Sequence, residues 1–279
     1  MNPVRRLVGR PLAYLALVCY AIFLGFPLVW LLSTALKTPQ ELATLAPSLI
    51  PRTWAWSNFS DALRSQDLLH AGANSLMVAV ASTILVTIVA MPAAYGLARF
   101  RTKMRPIALG WILVSQVFPV ILIVIPLFLI LQQFGLNNSL VGLVIVYLVW
   151  SLPFALWLLQ GYVAGIPRDL EEAASVDGAG RLRVLVSIVL PLLLPGIVAT
   201  ALFSFVSAWN EFFFALVLIQ DPALNTLPLA LAKFVGQEGQ VKLGALAAGS
   251  LLATIPSLLF FSFLQRRLTS GLLTGAVKG

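Results

Sequence analysis

Five uncharged, continuously apolar windows constrain this chain more than any other feature: residues 11–36, 71–98, 106–167, 184–210 and 243–265. A helix crosses the hydrocarbon core of a bilayer with about 20 apolar residues. Four windows fit one span each. The third is about long enough for two, and it is interrupted by the polar stretch that runs from Gln132 through Asn137 and Asn138 to Ser139. Six spans are therefore expected, over 12–36, 74–98, 107–131, 140–163, 192–219 and 243–264. A closed barrel would also satisfy its backbone in lipid, but it needs short alternating strands, and these windows do not alternate. The fold class is all-α membrane protein, as one domain over residues 1–279. Charged residues make up 10% of the chain, against roughly 25% in soluble domains. The first window lacks a small-residue cleavage site and reads as an uncleaved span.

Charge sets the orientation. Of the 18 Lys and Arg residues, 13 fall on one side if both termini, the loop around Phe100 and the loop 165–191 share it. The positive-inside rule makes that side cytoplasmic, so the net charge of +8 expresses topology rather than affinity for nucleic acid. The single cysteine, Cys19, leaves no intramolecular disulfide and no zinc cluster. The aromatics Trp54, Trp56 and Phe59 suit a short helix at the outer interface.

One loop departs from the apolar pattern. Residues 165–191 hold four of the ten acids of the chain, Asp169, Glu171, Glu172 and Asp177. Pro167 stands where a first-turn proline would, the acids crowd the first turns where the helix dipole favours anions, and Gly178 occupies a natural position just past a helix end. A helix of nearly three turns is expected over 168–177. It places Leu170, Ala173, Ala174 and Asp177 on one face, with Glu172 beside a patch of alanines that allows close approach of another backbone.

The spelling of that loop is Glu172-Ala173-Ala174, three residues, Gly178, nine residues, Ile188, one residue, Leu190-Pro191. It resembles the EAA signature of the permease subunits of binding-protein-dependent ABC importers. Ala208 to Phe212, Thr226-Leu227-Pro228 and the tail 265–279 are similar to phrases of the carbohydrate branch, in the pattern of the maltose- and trehalose-type second permease. The resemblance implies a multi-pass protein of the bacterial inner membrane that pairs with a second permease, two cytoplasmic ATPase subunits and an extracytoplasmic solute-binding protein. It also implies a sugar cargo, a di- or oligosaccharide such as maltose or trehalose, with glycerol phosphate or an amino sugar as the alternative. Coupling to the ATPases falls on Glu172, Ala173, Ala174, Asp177, Gly178, Ile188, Leu190 and Pro191. By the same resemblance, Gln237, Glu238, Gly239 and Gln240 reach the binding protein.

Glu211 is the only acid inside an expected span. Intramembrane acids are costly and tend to be functional. With Trp209 and Asn210 it is expected to form either a polar and aromatic patch on the sugar path or a polar lock between helices, unless it already lies near the outer interface. There is no Gly-x4-Gly-Lys-Ser/Thr run, so this chain is read as non-catalytic and without a bound cofactor, with ATP and Mg held by the partner ATPases. An ion-coupled transporter or channel, the reading from another class, generally needs several intramembrane ionisable groups. No metal site and no protease arrangement is evident, and the lone His70 reads as a surface residue.

Overall fold

The computed structural model describes residues 3–100, 105–235 and 241–276, with side chains over 12–100, 105–235 and 241–265. Among the described residues the chain is helical between loops, apart from one isolated bridge joining Val235 and Val241. In order come α1 (Pro3–Ala35), α2 (Pro39–Leu42), α3 (Ser57–Ser65), α4 (Leu68–Arg99), α5 (Arg105–Val117), α6 (Val120–Gln133), α7 (Leu140–Ala164), α8 (Asp169–Val176) and α9 (Arg181–Val184). A π turn (Leu185–Val189) leads into α10 (Leu190–Trp209), followed by α11 (Phe213–Leu218), α12 (Leu227–Ala232) and α13 (Leu243–Ala276). Five of the helical segments are long and apolar enough to cross a membrane, and α5 with α6 makes a sixth if the pair is one span.

That pair corrects the expected third span. Residues 107–131 do not form one rod, because α5 and α6 meet at a bend of 101°. Pro119 supplies the reason. It has no N–H to continue the ladder, its ring crowds the preceding turn, and it disfavours helical backbone at Phe118. Pro119 itself is extended (ψ 119°) and starts α6.

The fifth span is also displaced from 192–219. Its rod runs Arg181–Trp209 and stops where Asn210 leaves helical geometry. Beyond it the Glu211 carboxylate accepts the N–H groups of Phe214 (2.8 Å) and Ala215 (3.3 Å). These are early donors of α11 with no acceptor inside that helix, so the glutamate starts a new element. The second span begins at Leu68, six residues ahead of 74. Asp67, at φ 45°, ends the preceding helix, and the apolar residues after it join the rod.

The chain divides into two compact units, one of residues 1–68 and 230–254 and the other of 69–229 and 255–279. In the first, Asn58 of α3 donates its amide to the carbonyls of Ala35 (2.9 Å) and Lys37 (2.8 Å). It thereby satisfies an acceptor left open where α1 ends. Trp54 and Trp56 are exposed and stack on each other, with ring centroids 6.1 Å apart.

The second unit carries the loop 165–191 and packs around small residues. Val86, Ala90, Ala94 and Ala98 recur every four residues along α4, and all are buried with Ala155, Leu159 and Val163 of α7. Small side chains at that interval let helix backbones approach closely where lipid provides no hydrophobic drive. Gly196 of α10 shows how close. A Cβ there would lie 2.6 Å from the ring of Tyr162 on α7.

Candidate coupling site

The acidic loop forms α8, a helix of two turns over Asp169–Val176, slightly shorter than the expected 168–177. Its N-cap is Arg168, whose side chain makes no capping hydrogen bond. Pro167 therefore precedes the cap and is not a first-turn residue. The C-terminus closes as the glycine led us to expect. Gly178 adopts φ +84°, its N–H donates to Ser175 O (3.1 Å), and the N–H of Ala179 donates to Ala174 O (2.9 Å). These two bonds and the left-handed glycine constitute a Schellman reversal. Ala174 and Ala179, the residues that bracket it, both rest against the buried cluster of the unit.

The two adjacent glutamates divide the work. Glu171 turns inward. Its Oε1 accepts from Arg99 Nε at 2.6 Å, its Oε2 accepts from the Tyr95 hydroxyl at 2.7 Å, and a second nitrogen of Arg99 donates to Ile166 O at 2.8 Å. The Arg99 and Glu171 side chains are only 9% and 13% exposed. Such a pair stands between exposed ion pairs, worth about 0–1 kcal/mol, and fully buried ones, where loss of one partner costs about 3–5 kcal/mol. Glu172 is exposed, as are Ala173, Asp177 and Gly178. Leu170 and Val176 also present apolar surface, Val176 at 87%. The face expected to meet a partner is therefore open at Leu170, Ala173 and Asp177, while Ala174 points back into the protein.

The end of α4 is gripped elsewhere too. Arg168 donates to Arg99 O at 3.5 Å, and the Arg181 guanidinium lies 5.6 Å from the centre of the Phe100 ring. In the sequence Arg99 is one of the basic residues around Phe100 that set the topology, with contact to a cytoplasmic partner as the other reading, and nothing local reveals its link to a residue 72 positions away.

Ile188, Leu190 and Pro191 belong to the start of the following rod. Ile188 lies in the π turn Leu185–Val189, where the N–H of Leu190 donates to Leu185 O, five residues back. Pro191 has no N–H for the carbonyl of Ser187, and its ring needs room beside that carbonyl. A widened turn immediately upstream supplies it, and π turns inside helices often mark functional sites. Val184 and Val189 are buried on either side of the widened turn.

Residues 86–273 match the family described as binding-protein-dependent transport system inner membrane component. The chain belongs to this family. Its relatives include a putative ABC transporter permease protein, ORF1, of Streptomyces antibioticus, 56% identical over 82% of this chain and 100% of the relative. The trehalose/maltose transport system permease protein MalG of Thermococcus litoralis is 33% identical over 97% of each chain. Among solved structures, a bacterial ABC transporter involved in the import of the acidic polysaccharide alginate superposes with a TM-score of 0.77. It covers 95% of this chain and 98% of the other at 22% identity, which establishes a common fold.

The chain is thus a multi-pass membrane permease of the binding-protein-dependent ABC type, and its remaining marked residues can be located in that frame. Of the phrase Trp209-Asn210-Glu211, Trp209 is buried and Asn210 is exposed. Glu211 accepts the Tyr147 hydroxyl at 2.7 Å in addition to its two backbone donors. Its carboxylate joins α7, the end of α10 and α11. Gln237, Glu238, Gly239 and Gln240 lie outside the described residues.

Elsewhere in the second unit, Asn74 donates to Ala223 O and Asn225 O at 2.9 and 3.0 Å. The Oδ1 of Asn138 accepts the N–H groups of Gln220 and Asp221 at 3.0 and 2.9 Å. His70, exposed as expected of a surface residue, places Nε2 2.9 Å from Ala223 O. The segment before Thr226-Leu227-Pro228 is fastened by side chains from helix ends far away in sequence.

Proposed function

We propose that the permease is one of two membrane subunits lining the path of an ATP-driven, binding-protein-dependent importer of a di- or oligosaccharide. Separate ATPase subunits, which hold ATP and Mg, dock on α8 from the cytoplasm. The observation that carries this reading is the placement of Glu172. It is an exposed carboxylate, flanked by exposed Leu170, Ala173 and Val176, on a short helix held firmly at both ends. A rigid projection bearing charge and apolar surface suits a lever that moves as a body between two packings of the membrane helices. Ala174 and Gly178 keep the lever close and fix its exit, and Ile188, Leu190 and Pro191 form its connection to α10.

The cargo class rests on relatives such as the trehalose/maltose permease. Both units are read as parts of one transmembrane domain with cytoplasmic termini. In the path itself, Asn210 offers the exposed polar group, with Trp209 and Glu211 behind it. The extracytoplasmic solute-binding protein would meet the outer loops, including 237–240.

The test is Glu172→Lys in the assembled transporter. Reversing the exposed charge is expected to release the ATPase or to uncouple its hydrolysis from uptake. Unchanged sugar transport by that variant would refute the docking role.

A further inference from the structure

The docking reading treats the acidic loop as one lever attached to the rod that follows it. The geometry around Arg99 points to a second attachment, and the inference rests on that reading of α8. Three groups from the loop hold the last turn of α4. Glu171 binds both Arg99 and Tyr95 through its two carboxylate oxygens, Arg168 reaches the backbone carbonyl of Arg99, and Arg181 covers the Phe100 ring. Arg99 completes the grip by donating to Ile166 O, on the segment that leads from α7 into the loop. The donors and acceptors come from both sides of α8, so the loop embraces the end of α4 rather than touching it at a point.

The bonds are also directional. A carboxylate with one oxygen on a guanidinium and the other on a phenol is fixed in two directions, and charge-assisted bonds of this length are the stronger kind. The pair is largely screened from solvent by its own helices. A displacement of α8 must therefore either break this cluster or carry α4 along. At the other end of α8 the chain passes through the Schellman reversal into α9 and the rod Arg181–Trp209. One moving helix then acts on two spans, one through side chains and the other through the main chain.

We propose that Glu171, Arg99 and Tyr95 are positioning residues for transport: a clasp that makes α4 a driven span, so that force delivered to α8 reaches α4 as well as α10. Glu171 and Glu172 then have separable roles, the first transmitting and the second docking.

The experiment uses the complete transporter in proteoliposomes with its ATPases and binding protein. Retention of the ATPase during purification, ATP hydrolysis and sugar uptake are measured together. Glu171→Gln and Arg99→Gln are expected to keep the ATPase bound and hydrolysing while the ATP consumed per sugar imported rises about tenfold, the scale of a typical coupling free energy. The exchange Arg99→Glu with Glu171→Arg is expected to restore part of that loss. Tyr95→Phe, which removes one hydrogen bond and no charge, is expected to raise the same ratio by a smaller factor, and it decides the matter if the charge variants do not assemble. An unchanged ratio in the variants that assemble overturns the clasp. Loss of the ATPase from Glu171→Gln overturns it differently, by placing Glu171 on the docking surface with Glu172. Failure of Glu172→Lys to affect docking, with Glu171→Gln uncoupled, would strike the docking reading and leave the clasp standing.

Discussion

The carboxylate of Glu171 faces inward to the guanidinium of Arg99 at 2.6 Å, across 72 residues of sequence, while the next residue along α8 faces out. Two identical side chains in succession are given opposite environments by about 100° of helical rotation. One carboxylate is committed within the chain, and the other is open to solvent.

Gly178 should tolerate few replacements. Its φ of +84° is costly for residues with a Cβ, although no atom stands within 4 Å of where that Cβ would lie. The penalty is therefore conformational, about 1 kcal/mol for most residues and less for Asn. Gly178→Val should lower thermal stability in detergent and weaken ATPase retention, and Gly178→Asn should do so less. Equal behaviour of the two would show that the reversal does not depend on a left-handed residue.

Glu211 should act first on stability. Removing its carboxylate strands the hydroxyl of buried Tyr147 and two N–H groups at the start of α11. Stranded buried polar groups cost about 1–3 kcal/mol each, so Glu211→Ala is expected to lower the unfolding temperature clearly. Asn210→Ala should leave that temperature in place and reduce uptake. If Glu211→Ala instead transports poorly while unfolding normally, the carboxylate works in the path.

Gly196→Ala tests the contact between α10 and α7. The added methyl would sit 2.6 Å from the Tyr162 ring, and overpacking of this kind costs about 1–3 kcal/mol. Adding Tyr162→Ala should recover much of the loss. No recovery would mean that the two helices are not in close contact there.

The break between α5 and α6 can be measured directly. Spin labels at Ile107 and Leu131 on a straight helix would be about 36 Å apart, whereas two equal arms bent as observed bring them to roughly 23 Å. The native permease should give the shorter distance, and Pro119→Ala should move it toward the longer one. A native distance near that of the straight helix would dismiss the bend.

Much of this architecture can be read from the chain, and what cannot has physical causes. Apolar length reveals the spans because lipid imposes it. The position of Gly178 is legible because only a few residues accept its backbone angle. The bend at Phe118 and Pro119 is not, since proline is common in membrane helices and the flanking residues are apolar on both sides. Asn210 and Glu211 look like a polar patch within a span, because a capping carboxylate and a path-lining one have the same spelling. The Arg99 cluster is invisible for a different reason: it joins helices that only the folded packing brings together.

The widened turn at Leu185–Val189 gives the spacing of the loop a meaning of its own. Val184, Val189 and Leu193 are all buried, at steps of five and then four residues. The rod therefore keeps its inward side only because one turn holds an extra residue. Inserting or deleting a single residue between Arg181 and Pro191 would swing everything on one side of the change by about 100° relative to the other. The count of residues in this stretch is thus a phase setting, as binding on the permease as the identity of any side chain in it.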